Sequence, residues 1–172
     1  MKERKERSYI YIISHLSKIV KFYDEVTVFL QFFTAPKCYH IVNKGGDDVG
    51  FKKINPNPYG NRVGDCVVRG IAILTGCSWE RAYLDIAVQG FIMGDMPSAN
   101  AVWGAFLKRK GYKQYLISDD ITVADFARQH SRGAYLLGSG THVVTVVNGD
   151  YCDTWDSGDE MPIYYFYKER DR

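Results

Sequence analysis

The chain has 172 residues, of which 46% are hydrophobic and 24% are charged, a composition that excludes a disordered or fibrous protein. The formal net charge is only +2, and residues 51–172 contain fourteen Lys/Arg and fourteen Asp/Glu. Nucleic-acid binding needs a concentration of basic residues that this balance does not supply. We therefore expect no nucleic-acid partner.

The four cysteines lack the CxxC spacing of zinc sites and redox pairs, so we expect neither a metal nor a cofactor. The longest apolar run, around Val26 to Phe33, is far shorter than the roughly 20 residues that span a bilayer. The N-terminal residues also do not resemble a secretion signal. These features predict free thiols, a cytoplasmic location and no membrane partner. The oligomeric state is left open.

Residues 1–50 differ in composition from the remainder and end in a linker-like stretch at residues 44–48, KGGDD. Apolar residues at helical spacing between positions 9 and 23 predict an amphipathic helix. Two interpretations of this segment stay open. In the first, it is a helical extension of the domain. In the second, residues 1–48 are not part of the native protein, because translation starts at a GTG codon that is read here as Val49. The folded domain is predicted over residues 51–172.

Four helices are predicted in the first part of this domain. Their limits are Asp65 to Gly76, Ser78 to about Val88, Pro97 to Gly111, and Thr122 to Gly133. Asp65 is interpreted as the N-cap of the first helix. Thr122 and Asp125 have the spacing of a capping box at the start of the fourth.

After Gly133 the pattern changes to short runs rich in Val, Tyr and Thr, which favour strands. The predicted strands are residues 134–137, 141–147, 151–156 and 163–167. Asn148-Gly149 between the second and third predicts a hairpin. N-terminal helices followed by a C-terminal antiparallel sheet predict an α+β fold.

Cys66 lies in the first turn of the first predicted helix. Free N–H groups and the helix dipole favour a thiolate there, and the thiolate is the nucleophilic form of cysteine. His142 begins the strand HVVTVV after the turn at residues 138–140, from which its ring can reach a helix N-terminus. These two residues are the candidate nucleophile and base.

An acid on the following strand would orient the histidine and stabilise its imidazolium form. Asp153 and Asp156 are the candidates, and the hairpin register decides between them. A two-residue loop places Asp153 diagonally across from His142. A three-residue loop with a bulge sets Asp156 directly opposite His142.

The order of a cysteine at a helix start, His-Val-Val-Thr-Val-Val, and an acid followed by a small residue resembles the papain-like cysteine peptidase superfamily. The ending Trp155-Asp156-Ser157-Gly158 is similar to that of Josephin and ubiquitin C-terminal hydrolase domains. The compact size is similar to double-glycine leader peptidases. The segment NPNPYGNRVGDCVVRGI is similar to small proteins of bacteria and their phages. The resemblance covers roughly residues 55–167.

This resemblance implies a papain-like fold and a cysteine peptidase or amidase with a Cys66–His142–Asp156 triad, in which Asp153 is the alternative acid. The family's oxyanion-stabilising Gln is replaced here, so Asn61 is the candidate donor and Asn57 the alternative. A peptide or protein substrate is implied. A same-fold acyltransferase and a catalytically inactive bacterial or phage binding protein are the alternative functions.

We expect deletion of residues 1–48 to leave a cooperatively folding protein with unchanged thiol reactivity, because this segment supplies none of the candidate site residues. Thermal unfolding and iodoacetamide labelling of the truncated and full-length chains check this expectation. Loss of cooperative unfolding in the truncated chain would show that the segment belongs to the core.

Overall fold

The computed structural model describes residues 50–118 and 120–169, and the helix predicted between residues 9 and 23 lies outside this part of the chain. Within the described residues the fold is α+β, as predicted, with four helices and six strands. The helices are α1 (Cys66–Thr75), α2 (Trp79–Met93), α3 (Asn100–Arg109) and α4 (Val123–Gln129). The strands are β1 (Phe51–Lys53), β2 (Lys113–Leu116), β3 (Ala134–Gly138), β4 (Val143–Val147), β5 (Asp150–Asp153) and β6 (Tyr164–Tyr167).

The strands form one mixed sheet in the order β1-β5-β4-β3-β6-β2. Four of the neighbouring pairs are antiparallel, but β1 pairs with β5 in parallel. The prediction of a purely antiparallel sheet is therefore wrong at this edge. β1 is only three residues long and contains two exposed lysines, so it has no hydrophobic alternation by which the sequence could predict it. β2 was missed for the same reason, since three of its four residues are exposed.

The hairpin between β4 and β5 has a two-residue loop, because Val147 pairs directly with Asp150. Asn148 and Gly149 both have positive φ, 51° and 92°, as a type I′ turn requires. The prediction of a hairpin here is confirmed. Its loop is the shorter of the two alternatives considered from the sequence.

The helix starts show which sequence signals determine local structure. At α4 the Thr122 hydroxyl accepts from the Asp125 backbone N–H while the Asp125 carboxylate accepts from the Thr122 N–H, so the predicted capping box is confirmed. At α1 Asp65 occupies the N-cap position, but its side chain makes no capping hydrogen bond. Asp65 is therefore the N-cap residue, as predicted, but its carboxylate is occupied by other donors rather than by N–H groups of the helix.

Alternate residues along the strands face two separate cores. Leu136, Val143 and Phe166 pack with α1, α2 and α3 in one cluster. Leu137 and Val144, each one position further along, pack with α4 in the other cluster. The period-2 alternation of buried strands thus places three helices on one face of the sheet and one helix on the other.

Gly70 allows α1 to lie close to the sheet. A Cβ at this position would lie 2.6 Å from Leu136 Cδ1, 3.2 Å from Val143 Cγ1 and 3.3 Å from Thr145 Oγ1. Leu136 and Thr145 are fully buried, so neither side chain has space to move away. This close approach fixes the distance between α1, which carries Cys66, and β4, which follows His142.

Gly70→Ala is expected to lower the free energy of unfolding by about 1–2 kcal/mol. Overpacking of about 1–3 kcal/mol is partly offset by the higher helix propensity of alanine, worth about 1 kcal/mol. Urea-induced unfolding measures the change. Gly104→Ala is the matched control, because a Cβ there meets only Phe166 Cζ at an ordinary 3.5 Å. We expect the control to keep or gain stability, and an equal loss in both variants would contradict the close-contact explanation.

Candidate active site

Cys66 is the first residue of α1, and its side chain is partly buried. The first-turn N–H groups of a helix have no carbonyl partner within the helix, and the positive end of the helix dipole lies beside them. The backbone N–H of Val143, on the neighbouring strand β4, also lowers the pKa of the Cys66 thiol. The position therefore favours a negatively charged sulfur.

His142 directly precedes β4, and Asp153 is the last residue of β5. Because these strands are antiparallel, both residues lie at the same end of the sheet. His142 Nε2 lies 2.5 Å from Asp153 Oδ2. The backbone N–H of His142 donates to the Ser139 hydroxyl at 3.1 Å, which closes the preceding turn and holds the histidine in place.

The prediction that Asp156 faces His142 is wrong. Asp156 is exposed and accepts hydrogen bonds from the Tyr151 hydroxyl at 2.8 Å and the Gly158 N–H at 3.1 Å. The two-residue loop of the β4–β5 hairpin explains the difference, because it brings Asp153, the alternative acid, to His142. The chain then leaves the sheet before it reaches Asp156.

His142 also contacts Cys66, so the structure brings together the candidate nucleophile, the candidate base and the alternative acid. Interactions between the two side chains lower the pKa of the Cys66 thiol and raise the pKa of the His142 imidazole. Since Nε2 is engaged by Asp153, the sulfur is left to interact with the other ring nitrogen. The three groups form a continuous chain from sulfur through imidazole to carboxylate.

The pKa values within this chain shift in the directions that favour an ion pair. Burial raises the pKa of the Cys66 thiol, but the interactions with His142, the Val143 backbone N–H and Arg69 together outweigh burial, and the net pKa is lowered. The hydrogen bond to Asp153, followed by the interaction with Cys66, raises the pKa of His142 to about 9. At neutral pH these shifts favour a thiolate beside an imidazolium.

The carboxylate of Asp153 is held in its ionised form. Burial raises its pKa, but the hydrogen bond to His142 and the Thr154 backbone N–H, at 2.7 Å, more than compensate, so the pKa is lowered. The buried Ser157 hydroxyl also acts in this direction, although it lies outside strict hydrogen-bond geometry. Asp153 can therefore accept from a protonated His142 without taking its proton.

Asp65 is a buried carboxylate with several donors around it. Its Oδ2 accepts from Asn57 Nδ2 at 3.0 Å and from Trp79 Nε1 at 2.9 Å, and its Oδ1 pairs with Arg69. The ion pair of Arg69 with Asp65 was not predicted from the sequence. The spacing of four residues between Asp65 and Arg69, typical of helical ion pairs, was the available signal.

The structure places the two candidate oxyanion donors differently. Asn57 is buried, and its side chain is held by Asp65 and by the Tyr59 backbone N–H, which donates to Asn57 Oδ1 at 3.0 Å. Asn61 is exposed in the loop before Cys66. Within residues 50–118 and 120–169, no hydrogen bond joins either amide to Cys66.

Aromatic side chains contact two residues of the site, His142 and Asp65. Trp155 is 47% exposed, and its ring centroid lies 5.3 Å from that of His142. Trp79, whose indole N–H donates to Asp65, packs edge-on against Tyr59 at 5.9 Å and stacks on Tyr83 at 5.2 Å. We call Tyr59, Trp79 and Tyr83 the aromatic ledge.

The remaining described thiols differ in electrostatics from Cys66. Burial raises the pKa of Cys77, and burial together with the charge of Asp150 raises that of Cys152 to about 12. Among these three cysteines, only Cys66 has a lowered pKa. It is the one with a histidine partner.

No group of three or more His, Cys, Asp or Glu in the described part of the chain is arranged to hold a metal ion. The helices of that part also include none with both the length and the apolar character needed to cross a membrane. No protein-family model, curated protein sequence or solved structure matches this chain.

We expect iodoacetamide to alkylate Cys66 faster than Cys77 or Cys152 at pH 7, because only the thiolate is reactive. The rate at Cys66 should reach its plateau below the pH at which an ordinary thiol ionises, and His142→Ala should lower the rate at pH 7 about tenfold or more. Timed labelling between pH 5 and 10, followed by peptide mass spectrometry, measures each site separately. Equal rates at Cys66 and Cys77 would contradict an activated thiolate.

Proposed function

We propose that this protein is a papain-like cysteine hydrolase that cleaves a peptide or another amide through a covalent acyl-enzyme. The observation that carries the proposal is the Cys66–His142–Asp153 chain, in which the thiol pKa is lowered and the imidazole pKa is raised to about 9. A buried structural cysteine has the opposite shift, as Cys152 does.

The fold supports this proposal through the elements that carry the three groups. The nucleophile begins a helix, and the base and the acid lie at one end of the sheet against which that helix packs. This is the arrangement implied by the resemblance to the papain-like superfamily. The acid differs from the one that the resemblance implies, because Asp153 rather than Asp156 contacts His142.

In the proposed first step the Cys66 thiolate attacks the substrate carbonyl carbon, and a C–S bond forms while the carbonyl oxygen takes the negative charge. The imidazolium of His142 then gives its proton to the leaving nitrogen as the C–N bond breaks. The products of this step are a free amine and a thioester on Cys66. Asp153 stays ionised and keeps the ring oriented.

In the second step water attacks the thioester carbonyl, and the neutral His142 removes a proton from that water. The C–S bond breaks, and the carboxylic acid product leaves. The proton held by His142 restores the imidazolium beside the regenerated thiolate. The sum of the two steps is hydrolysis of one amide bond with no net change in the enzyme.

The oxyanion formed in both steps needs hydrogen-bond donors. The backbone N–H of Cys66, at the open end of α1, is the proposed first donor. Asn61 is the proposed side-chain donor, because its exposed amide is free to turn toward a substrate, whereas Asp65 and Tyr59 hold the amide of Asn57.

The aromatic surfaces indicate the kind of substrate. Tyr59 and Tyr83 of the aromatic ledge are exposed, as is Trp155, whose ring lies beside that of His142. A peptide with apolar side chains near the cleaved bond fits such surfaces, since aromatic rings bind apolar groups without needing a polar partner. The reduced thiol on which the mechanism depends also agrees with a cytoplasmic location.

The activity test is digestion of a mixed peptide library, with products identified by mass spectrometry and with Cys66→Ser as the inactive control. Added primary amines distinguish hydrolysis from acyl transfer, because an acyltransferase gives amide products where a hydrolase gives acids. Cleavage by the wild type that Cys66→Ser abolishes supports the proposal. Identical product patterns from both proteins overturn it.

We expect Asp153→Ala to lower kcat about 10²- to 10⁴-fold, because His142 loses both its orientation and its stabilising charge. Asp153→Asn should be milder, since an amide oxygen still accepts the ring N–H. Asp156→Ala is the matched control. It should keep kcat and lose about 1 kcal/mol of stability, because Tyr151 loses its partner. Steady-state kinetics on well-folded variants decide the order, and greater damage from Asp156→Ala would reverse the assignment of the acid.

A further inference from the structure

Arg69 lies between two buried carboxylates that come from opposite ends of the domain sequence. Its Nη1 pairs with Asp65 Oδ1, and its Nη2 lies 3.5 Å from Asp153 Oδ1. The side chains of Arg69, Asp65 and Asp153 are only 13%, 7% and 3% exposed. The guanidinium thus joins the start of the nucleophile helix to the end of β5.

The two oxygens of Asp153 have different partners. Oδ2 contacts His142, while Oδ1 faces Arg69 and accepts from the Thr154 backbone N–H. A carboxylate with partners on both oxygens cannot rotate freely about the Cβ–Cγ bond. Because a guanidinium presents its donors in a rigid planar fork, it can engage two carboxylates at once, which the single ammonium of a lysine does less well.

The positive charge of Arg69 matters for the ionisation of Cys66, because other charged groups lie around the thiol. The charged groups that face the site are Arg69 and Asp65 at the start of α1, His142 before β4, and Asp153 at the end of β5. When Cys66 is a thiolate, two cations face three anions, so the cluster already has one excess negative charge. Without Arg69, the His142 imidazolium alone would face all three, and a further negative charge on sulfur would be disfavoured.

We propose that Arg69 is a positioning residue, which bridges Asp65 to Asp153 and thereby holds the acid against His142 and stabilises the thiolate of Cys66. The inference rests on the proposed function and adds to it a residue outside the Cys–His–acid chain. The positive charge of Arg69 also contributes to the lowered pKa of the Cys66 thiol, as a smaller influence than His142.

Two substitutions separate the charge of Arg69 from its geometry. Arg69→Met keeps the length of the side chain and removes the charge, whereas Arg69→Lys keeps the charge and removes the fork. Arg81→Met is the matched control, because Arg81 also forms an i,i+4 ion pair, with Asp85 at 3.0 Å, but on α2. Circular dichroism and urea unfolding establish which variants fold.

The measurement is the pH profile of Cys66 alkylation by iodoacetamide, resolved by peptide mass spectrometry. In Arg69→Met the midpoint of thiolate formation should move about one pH unit upward, which slows alkylation at a pH below both midpoints about tenfold. Arg69→Lys should show a smaller shift in the same direction, with a slowing of about threefold. Arg81→Met should retain the wild-type midpoint. A residue that only supports the fold would change stability without moving this midpoint.

A folded Arg69→Met protein with the wild-type midpoint would overturn the proposal. If Arg69→Met does not fold, Arg69→Lys decides, and a wild-type profile in that variant would show that bridging has no role. The proposed hydrolase function fails on a separate result, namely wild-type Cys66 that reacts no faster than Cys77. The two ideas are therefore distinguished within one set of measurements.

Discussion

The backbone of α1 lies directly against β4 at Gly70, where the buried hydroxyl of Thr145 donates to the Gly70 carbonyl oxygen at 2.9 Å. This contact joins positions 75 residues apart in the sequence. Because Cys66 begins α1 and His142 immediately precedes β4, their separation depends on how closely these two elements pack. Any side chain larger than a hydrogen atom at position 70 would push the helix outward. The proximity of Cys66 and His142 is thus a consequence of helix–sheet packing.

Much of this architecture could be predicted from local signals. Hydrophobic periodicity with capping residues located the four helices, and the Asn148-Gly149 turn located the central hairpin. Cys66 and His142 could also be predicted as candidate site residues, because a helix start and a strand start after a tight turn are recognisable in a single sequence. Features that depend on a few neighbouring residues could therefore be predicted from the sequence.

Features that depend on pairing between residues distant in the sequence could not be predicted from it. The choice between Asp153 and Asp156 depended on one residue of register, and in a strand such a slip exchanges the two faces. The sequence permitted both loops, whereas the structure has the shorter one. The partners of Asp65 are a second example. Its N-cap position was predictable, whereas Asn57, Trp79 and Arg69 converge on it only in three dimensions.

The parallel pairing of β1 with β5 has a consequence for the behaviour of the protein at high concentration. Without β1, the strand that carries Asp153 would present open N–H and C=O groups to other molecules, and strand-to-strand association could draw it out of place. Instead β1 covers that edge, and its exposed side chains include Lys52 and Lys53. A short, positively charged edge is a poor template for the addition of a second chain. The three residues of β1 therefore protect β5, the strand that carries Asp153.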